Sequence, residues 1–247
     1  MSINWFKYSS PATFYPLAGK LVPWFAWLTA ILTLAGLYWG FFQTPDVLSE
    51  QKEYYRIIFI HVPAAWMSMW LYFVLVCWAL AGLVFNTRLS YMMAAAIAPT
   101  GAIATFIALW TGAFWGKTSW GTWWDWDPRM TSELILLFLY VGYMALQSAI
   151  DDPRRADRAS ALLAIVGLVC VPVIFWSVNC PDPTQCAALH QRSGTGKMES
   201  NILIAMLVMV FAFWMYAFAV ILMRVRNIIL ERERHATWVN ELLETEK

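Results

Sequence analysis

The sequence predicts an all-α polytopic membrane protein with six transmembrane helices, and three observations carry the prediction. Of 247 residues, 60% are hydrophobic and 13% are charged, about half the charged share of an ordinary soluble domain. Six apolar stretches, at 22–41, 57–85, 91–113, 131–150, 160–178 and 201–223, are each near or above the roughly 20 residues that cross about 30 Å of hydrocarbon as a helix. The 17 lysines and arginines are unevenly shared between alternate connections, which sets an orientation.

The first stretch follows a polar, aromatic tail and runs into QTPDVLSEQK rather than a small-residue cleavage site, so it is expected to remain as an anchor. The second opens on RIIFIHVPAAW, where Pro63 either bends the helix so that His61 turns inward or marks the first helical turn. The third and fourth flank a tryptophan-rich segment, and the fourth carries Glu133 near its start. The fifth follows Arg154, Arg155 and Arg158, and beyond the sixth the tail RVRNIILERERHATWVNELLETEK can form a short amphipathic helix.

Six spans return both termini to one side of the membrane. Eleven of the 17 cationic residues fall in the two tails, beside Arg88 and around Arg154, while the other three connections hold Lys52, Arg56, Lys117, Arg129, Arg192 and Lys197. The positive-inside rule therefore predicts cytoplasmic termini and three outer connections, at about 42–56, 114–130 and 179–200. No repeat or linker divides the chain, so residues 1–247 read as one integral-membrane domain with a cytoplasmic tail at 224–247.

The outer connection between helices 3 and 4 contains WGKTSWGTWWDWDPR, which places Trp115, Trp120, Trp123, Trp124 and Trp126 within fifteen residues. An interfacial aromatic belt accounts for scattered residues such as Trp24, Trp39 and Trp176. It accounts less well for five indoles in one segment, interrupted by Gly116 and Gly121, where close backbone turns become accessible. Broad rings partly buried against a large flat ligand are the better use of them.

Two of the three histidines fall on the same predicted face as those tryptophans: His61 near the outer end of the second span and His190 in the third outer connection. Each has an ordinary reading, as a helix-end hydrogen bonder or a surface residue. Beside the indoles, the pair suits the two axial positions of a haem iron. Asp125 and Asp127 alternate with Trp124 and Trp126, and carboxylates would repel haem propionates, so both are assigned to shaping the loop through a pair with Arg129. Arg129 and Arg56 are the candidate propionate partners.

Cys77 and Cys170 lie within spans and read as packing residues. Cys180 and Cys186, in NCPDPTQC, lie in the outer connection before His190, where an oxidising compartment permits a disulfide; thiol exchange is the rival, without the usual C-x-x-C spacing. No Walker-type phosphate loop and no C-x-x-C-H are present, few ionisable groups lie within the spans, and basic patches for nucleic acid are missing.

The tryptophan segment, with IHVPAAW and LHQ, resembles the WWD signature of the haem-handling membrane proteins of cytochrome c maturation. The length and six spans are similar to the short CcmC family rather than to the longer haem lyase CcmF. One departure is evident: the segment before LHQ reads SVNCPDPTQCAALHQ, without the pair of tryptophans common in the family and with two added cysteines.

The resemblance implies that the outer tryptophan loop and two outer histidines hold haem b, non-covalently and transiently, for delivery to the periplasmic chaperone CcmE. By motif match, His61 and His190 correspond to the axial ligands, while Trp115, Trp120, Trp123, Trp124, Asp125, Trp126, Asp127 and Arg129 correspond to the signature loop. It also implies a bacterial inner-membrane location and partners CcmA, CcmB and CcmD, with ATP hydrolysis in CcmA and no independent enzymatic activity here. The competing expectations are a transporter that moves haem through the helix bundle and a subunit that docks a partner without binding haem.

Overall fold

The computed structural model describes residues 8–44, 52–179 and 198–245. Helix α1 (Pro11–Tyr38) continues into a π-helical turn, Trp39–Gln43, and a 3-10 turn, Lys52–Ile57, leads into α2 (Ile58–Phe85). Then come α3 (Arg88–Trp120), α4 (Pro128–Ala149), α5 (Pro153–Gly167), α6 (Cys170–Asn179), α7 (Ser200–Arg232) and α8 (Thr237–Thr245). Six segments are long and apolar enough to cross a membrane: α1, α2, α3, α4, the α5–α6 pair and α7.

Most of the helices extend beyond their apolar stretches because their ends are set by caps that hydropathy does not register. Ser10 caps α1 by accepting from Thr13 N, and Pro11 sits in its first turn. Asp127 caps α4, Asp152 accepts from Arg154 N and Arg155 N at the start of α5, and Glu199 caps α7. The amides donated by Arg154 and Arg155 hold the exposed Asp152 carboxyl below its usual range. Pro63 falls in the second turn of α2, since that helix begins at Ile58.

The fifth span is two helices. Pro172 has no N–H to give to Leu168 O, and around the break the chain adopts tighter bonds, Leu168 N to Ile165 O at 3.2 Å and Val171 N to Leu168 O at 3.1 Å.

Helix α3 lies along α2 and also meets α4 and α7, whereas α1 lies against α7. Buried alanines, among them Ala94, Ala98, Ala104 and Ala108, give α3 surfaces thin enough for close helix approach. Tyr140 crosses from α4 to donate to Ser68 O of α2 at 2.9 Å. Arg224 of α7 donates to Ala96 O and Thr100 Oγ1 of α3, at 2.9 and 2.8 Å. At the end where α7 finishes, Arg232 makes a two-pronged pair with Asp157 of α5 (2.8 and 2.9 Å) and also bonds Gln147 of α4. Short helix α8 folds back there, with Trp238 Nε1 donating to Glu233 and its ring against Tyr15. Arg224 ties α7 to α3, and α3 carries the candidate site at its C-terminal end.

Candidate functional site

Helices α2 and α3 run antiparallel, so the first turns of α2 meet the last turns of α3. There His61 is buried, at 8% exposure. Its Nδ1 lies 2.9 Å from Thr111 Oγ1, and its ring stands edge-on to Trp115, with centroids 5.7 Å apart and planes at 86°. The Thr111 hydroxyl donates its single proton backwards to Ile107 O at 2.6 Å. With that proton so placed its oxygen accepts from His61, an arrangement that puts the imidazole proton on Nδ1 and the lone pair on Nε2. A histidine fixed in that tautomer by a neighbour is the usual form of a metal-ligating imidazole.

Gly112 makes the close approach possible, since a Cβ there would lie 3.1 Å from His61 Cε1. Below, Trp115 packs against the buried cluster of Tyr55, Phe59, Val62 and Met206. The site therefore rests on a firm apolar base built from α2, α3 and α7.

Half of the tryptophan segment is helical. Helix α3 continues through Trp115 and Trp120, and stops at Gly121, whose φ of 80° is the left-handed conformation that terminates helices. Lys117 Nζ donates to Gly121 O at 3.0 Å across this last turn. The non-helical connection is accordingly only 121–127. Inside it, Thr122 Oγ1 donates to Trp124 O at 2.8 Å.

The indoles divide by environment. Trp115, Trp120 and Trp124 are partly buried, whereas Trp123 is half-exposed at 51% and Trp126 stands out at 76%. Trp124 and Trp126 meet edge-to-face at 5.5 Å, and Trp123 caps Phe114 at 5.2 Å, continuing a line of rings through Trp110 and Phe106 on α3. Trp24, Trp39 and Trp176 are exposed on the bundle flanks.

Asp127 is 4% exposed and does two things. Its Oδ1 accepts from Met130 N at 2.6 Å, and its Oδ2 pairs with Arg129 Nη2 at 3.4 Å. Asp125 is partly buried and within electrostatic reach of the same guanidinium. Arg56 is also buried, with Nη1 donating to Gly40 O and Thr44 Oγ1, both at 2.6 Å, and Nε to Glu53. It clasps the end of α1 to the start of α2. Cys170 is buried and Cys77 exposed, both with free thiols. His190, Cys180 and Cys186 lie outside the described residues.

Several residues at this end were not singled out from sequence: Thr111, Gly112, Thr44 and Ser119. Thr111 and Gly112 carried a faint signal, as a polar residue and a side-chain-free one adjoining a tryptophan motif. Among the described residues, nine buried side-chain nitrogen or oxygen atoms have no hydrogen-bond partner, and four belong to this region: Ser119 Oγ, Trp124 Nε1, Arg129 Nε and Glu133 Oε1.

A wide apolar groove of about 1030 Å³ opens on the bundle flank between α2, the α5–α6 break and α7, lined by residues such as Trp66, Trp70, Phe175 and Trp214. Among the described residues, no group of three or more His, Cys, Asp or Glu side chains is arranged to hold a metal ion.

The sequence model of the family described as heme exporter protein C matches residues 4–240. The heme exporter protein C of Escherichia coli strain K12 is 43% identical over 237 residues, covering 94% of both chains. That of Bradyrhizobium diazoefficiens is 41% identical over 224 residues, covering 91% of this chain and 84% of its own, and that of Haemophilus influenzae is 37% identical over 245 residues, covering 97% of each. A match that spans all six candidate membrane helices and the histidine-tryptophan end shows that the chain belongs to the heme exporter protein C family, CcmC.

Proposed function

We propose that this protein binds haem b non-covalently at the periplasmic face of the bacterial inner membrane and presents it to the chaperone CcmE for c-type cytochrome biogenesis. Both termini are then cytoplasmic, and the α3–α4 connection faces out. CcmA, CcmB and CcmD complete an ABC-type complex in which CcmA hydrolyses ATP. The observation that carries the reading is the His61 imidazole, buried against Trp115 and held through Nδ1 by Thr111.

His61 and His190 serve as the two axial ligands, and the haem is cargo rather than a resident cofactor. The chain's own groups supply orientation and an apolar wall. Thr111 fixes the His61 tautomer, while Trp115, Trp120, Trp123, Trp124 and Trp126 offer ring surfaces against the macrocycle. Asp125 and Asp127 keep Arg129 in place. Of the two arginines proposed for the propionates, Arg129 carries an unpartnered Nε. Arg56 serves only if its clasp on Gly40 and Thr44 opens. The pair Cys180 and Cys186 is proposed to form a disulfide that restricts the chain leading to His190.

The test is a visible absorption spectrum of the purified protein supplied with haem, beside His61→Ala, His190→Ala and the double variant. Loss of a low-spin six-coordinate spectrum in each single variant is expected. Identical spectra in all four would refute axial ligation and favour a subunit that docks a partner without binding haem.

A further inference from the structure

Three arginines of α7 lie beyond its apolar stretch, and two of them are taken up by the protein itself. Arg224 donates to Ala96 O and Thr100 Oγ1 of α3, and Arg232 pairs with Asp157 of α5. Arg226 differs. Among the described residues its guanidinium has no hydrogen bond and no acidic partner. It sits over the Tyr15 ring of α1, with Cζ 4.3 Å from the centroid. Gly19 of α1 leaves the space for it, since a Cβ there would lie 3.0 Å from Arg226 Cζ and 3.2 Å from Nη2.

The cation is therefore held in place but not neutralised. Its Nε is enclosed without a partner, whereas the two terminal nitrogens reach the surface of a partly buried side chain. A guanidinium fixed in this way, with its outer N–H groups open, is preorganised for an anion that offers two oxygens side by side, as a phosphate does.

Its depth narrows the source of that phosphate. Arg226 follows the apolar stretch of α7 by three residues, and Gly19 and Lys20 precede that of α1 by three and two. At about 1.5 Å per residue, all three lie within roughly 5 Å of the hydrocarbon edge, inside a headgroup layer about 5–7 Å deep. Lys20 is exposed next to Gly19, so a second cation stands at the same level. Below Lys20, Trp24, Trp27 and Ile31 follow at helical spacing, all exposed, as an apolar stripe running into the hydrocarbon.

We infer that the α1–α7 seam at the end of the bundle opposite His61 is a binding site for an anionic phospholipid. Arg226 grips the phosphate, Lys20 adds the charge that favours a net-negative headgroup, and an acyl chain lies along the Trp24–Trp27–Ile31 stripe. Haem plays no part in this site.

The experiment supplies full-length protein in non-ionic detergent with phosphatidylglycerol or with phosphatidylcholine of the same chains, and follows bound lipid by native mass spectrometry across a titration. The unsubstituted chain is expected to bind phosphatidylglycerol more tightly. Arg226→Gln and Lys20→Gln are each expected to weaken phosphatidylglycerol about five-fold and phosphatidylcholine less than about two-fold, as for one cation at a membrane surface. Arg154→Gln removes an exposed cation from the same end of the bundle and is expected to change neither affinity.

Lys20 is exposed, so its variant keeps the test decisive should Arg226→Gln fail to fold. Equal binding of the two lipids by the unsubstituted chain would overturn the inference, as would a loss in Arg154→Gln as large as in Lys20→Gln. Glycerol 3-phosphate at millimolar concentration is expected to leave the bound lipid in place; its displacement would overturn the assignment to a lipid in favour of a soluble phosphate.

Discussion

Replacing Thr111 by Val tests the link between His61 and the α3 helix with little change in volume. The variant keeps the branched shape but removes the oxygen that lies 2.9 Å from Nδ1. Because His61 is 8% exposed, its N–H then loses a buried acceptor, a deficit of about 1–3 kcal/mol. Some of that falls on the stability of the protein without haem, through loosening of α2 against α3. The remainder falls on binding, because the tautomer with its lone pair on Nε2 is no longer enforced, and removing such outer partners commonly lowers metal affinity about 10–100-fold. Haem titration followed at the low-spin absorption bands should show a loss in that range for Thr111→Val and recovery in Thr111→Ser. The reasoning is refuted if Thr111→Val binds haem within about two-fold of the unsubstituted protein while remaining fully folded.

Gly112→Leu should weaken haem binding further by pushing the imidazole aside, since even a Cβ at this position comes within 3.1 Å of Cε1; a titration with unchanged affinity would contradict the close approach. Asp127→Ala removes a helix cap worth about 1 kcal/mol and leaves Arg129 without its anionic partner, so thermal unfolding should drop more than for Asp127→Asn. Asp157→Ala strands Arg232 and should cost about 3–5 kcal/mol of stability while leaving the haem spectrum of the surviving folded fraction intact, read by unfolding and absorption in the same sample. The depressed Asp152 carboxyl contributes stability above its ordinary range that disappears as pH falls through its lowered value. Protection of the Arg154 and Arg155 amides from exchange, taken relative to the intrinsic rate at each pH, should therefore fall on acidification, an effect absent in Asp152→Asn.

The number of spans was legible because membrane crossing is a matter of length and apolarity, and both are written in the sequence. Their ends were not, since a window of apolar residues stops where tryptophan, lysine and threonine begin, and a helix does not. Trp115 to Trp120 looked like loop and is the last turn and a half of α3, closed by Gly121. The pairing of Asp127 with Arg129 was readable from their spacing beside Pro128. The bond from His61 to Thr111 spans 50 residues, and depends on the register of α2 against α3 that alanine packing sets. Arg56 shows the converse: its charge was visible in the sequence, but its contacts with Glu53 and with Gly40 and Thr44 beyond the end of α1 were not.

Under the proposed function, that register also explains why a transient haem site is built largely on two long helices rather than on an extended loop. A connection of seven residues, 121–127, has little freedom when both its ends are held, by Lys117 on Gly121 O and by Asp127 on Met130 N. His61 is in turn held by Thr111 from the same α3 helix that carries Trp115 and Trp120. On the proposed function, one axial ligand and part of the indole wall are therefore held together before haem arrives, so capture requires no ordering of that half of the site and loses little entropy there. Under the proposed function, weakening His61 through Thr111→Val should therefore reduce capture of haem more strongly than it speeds hand-over.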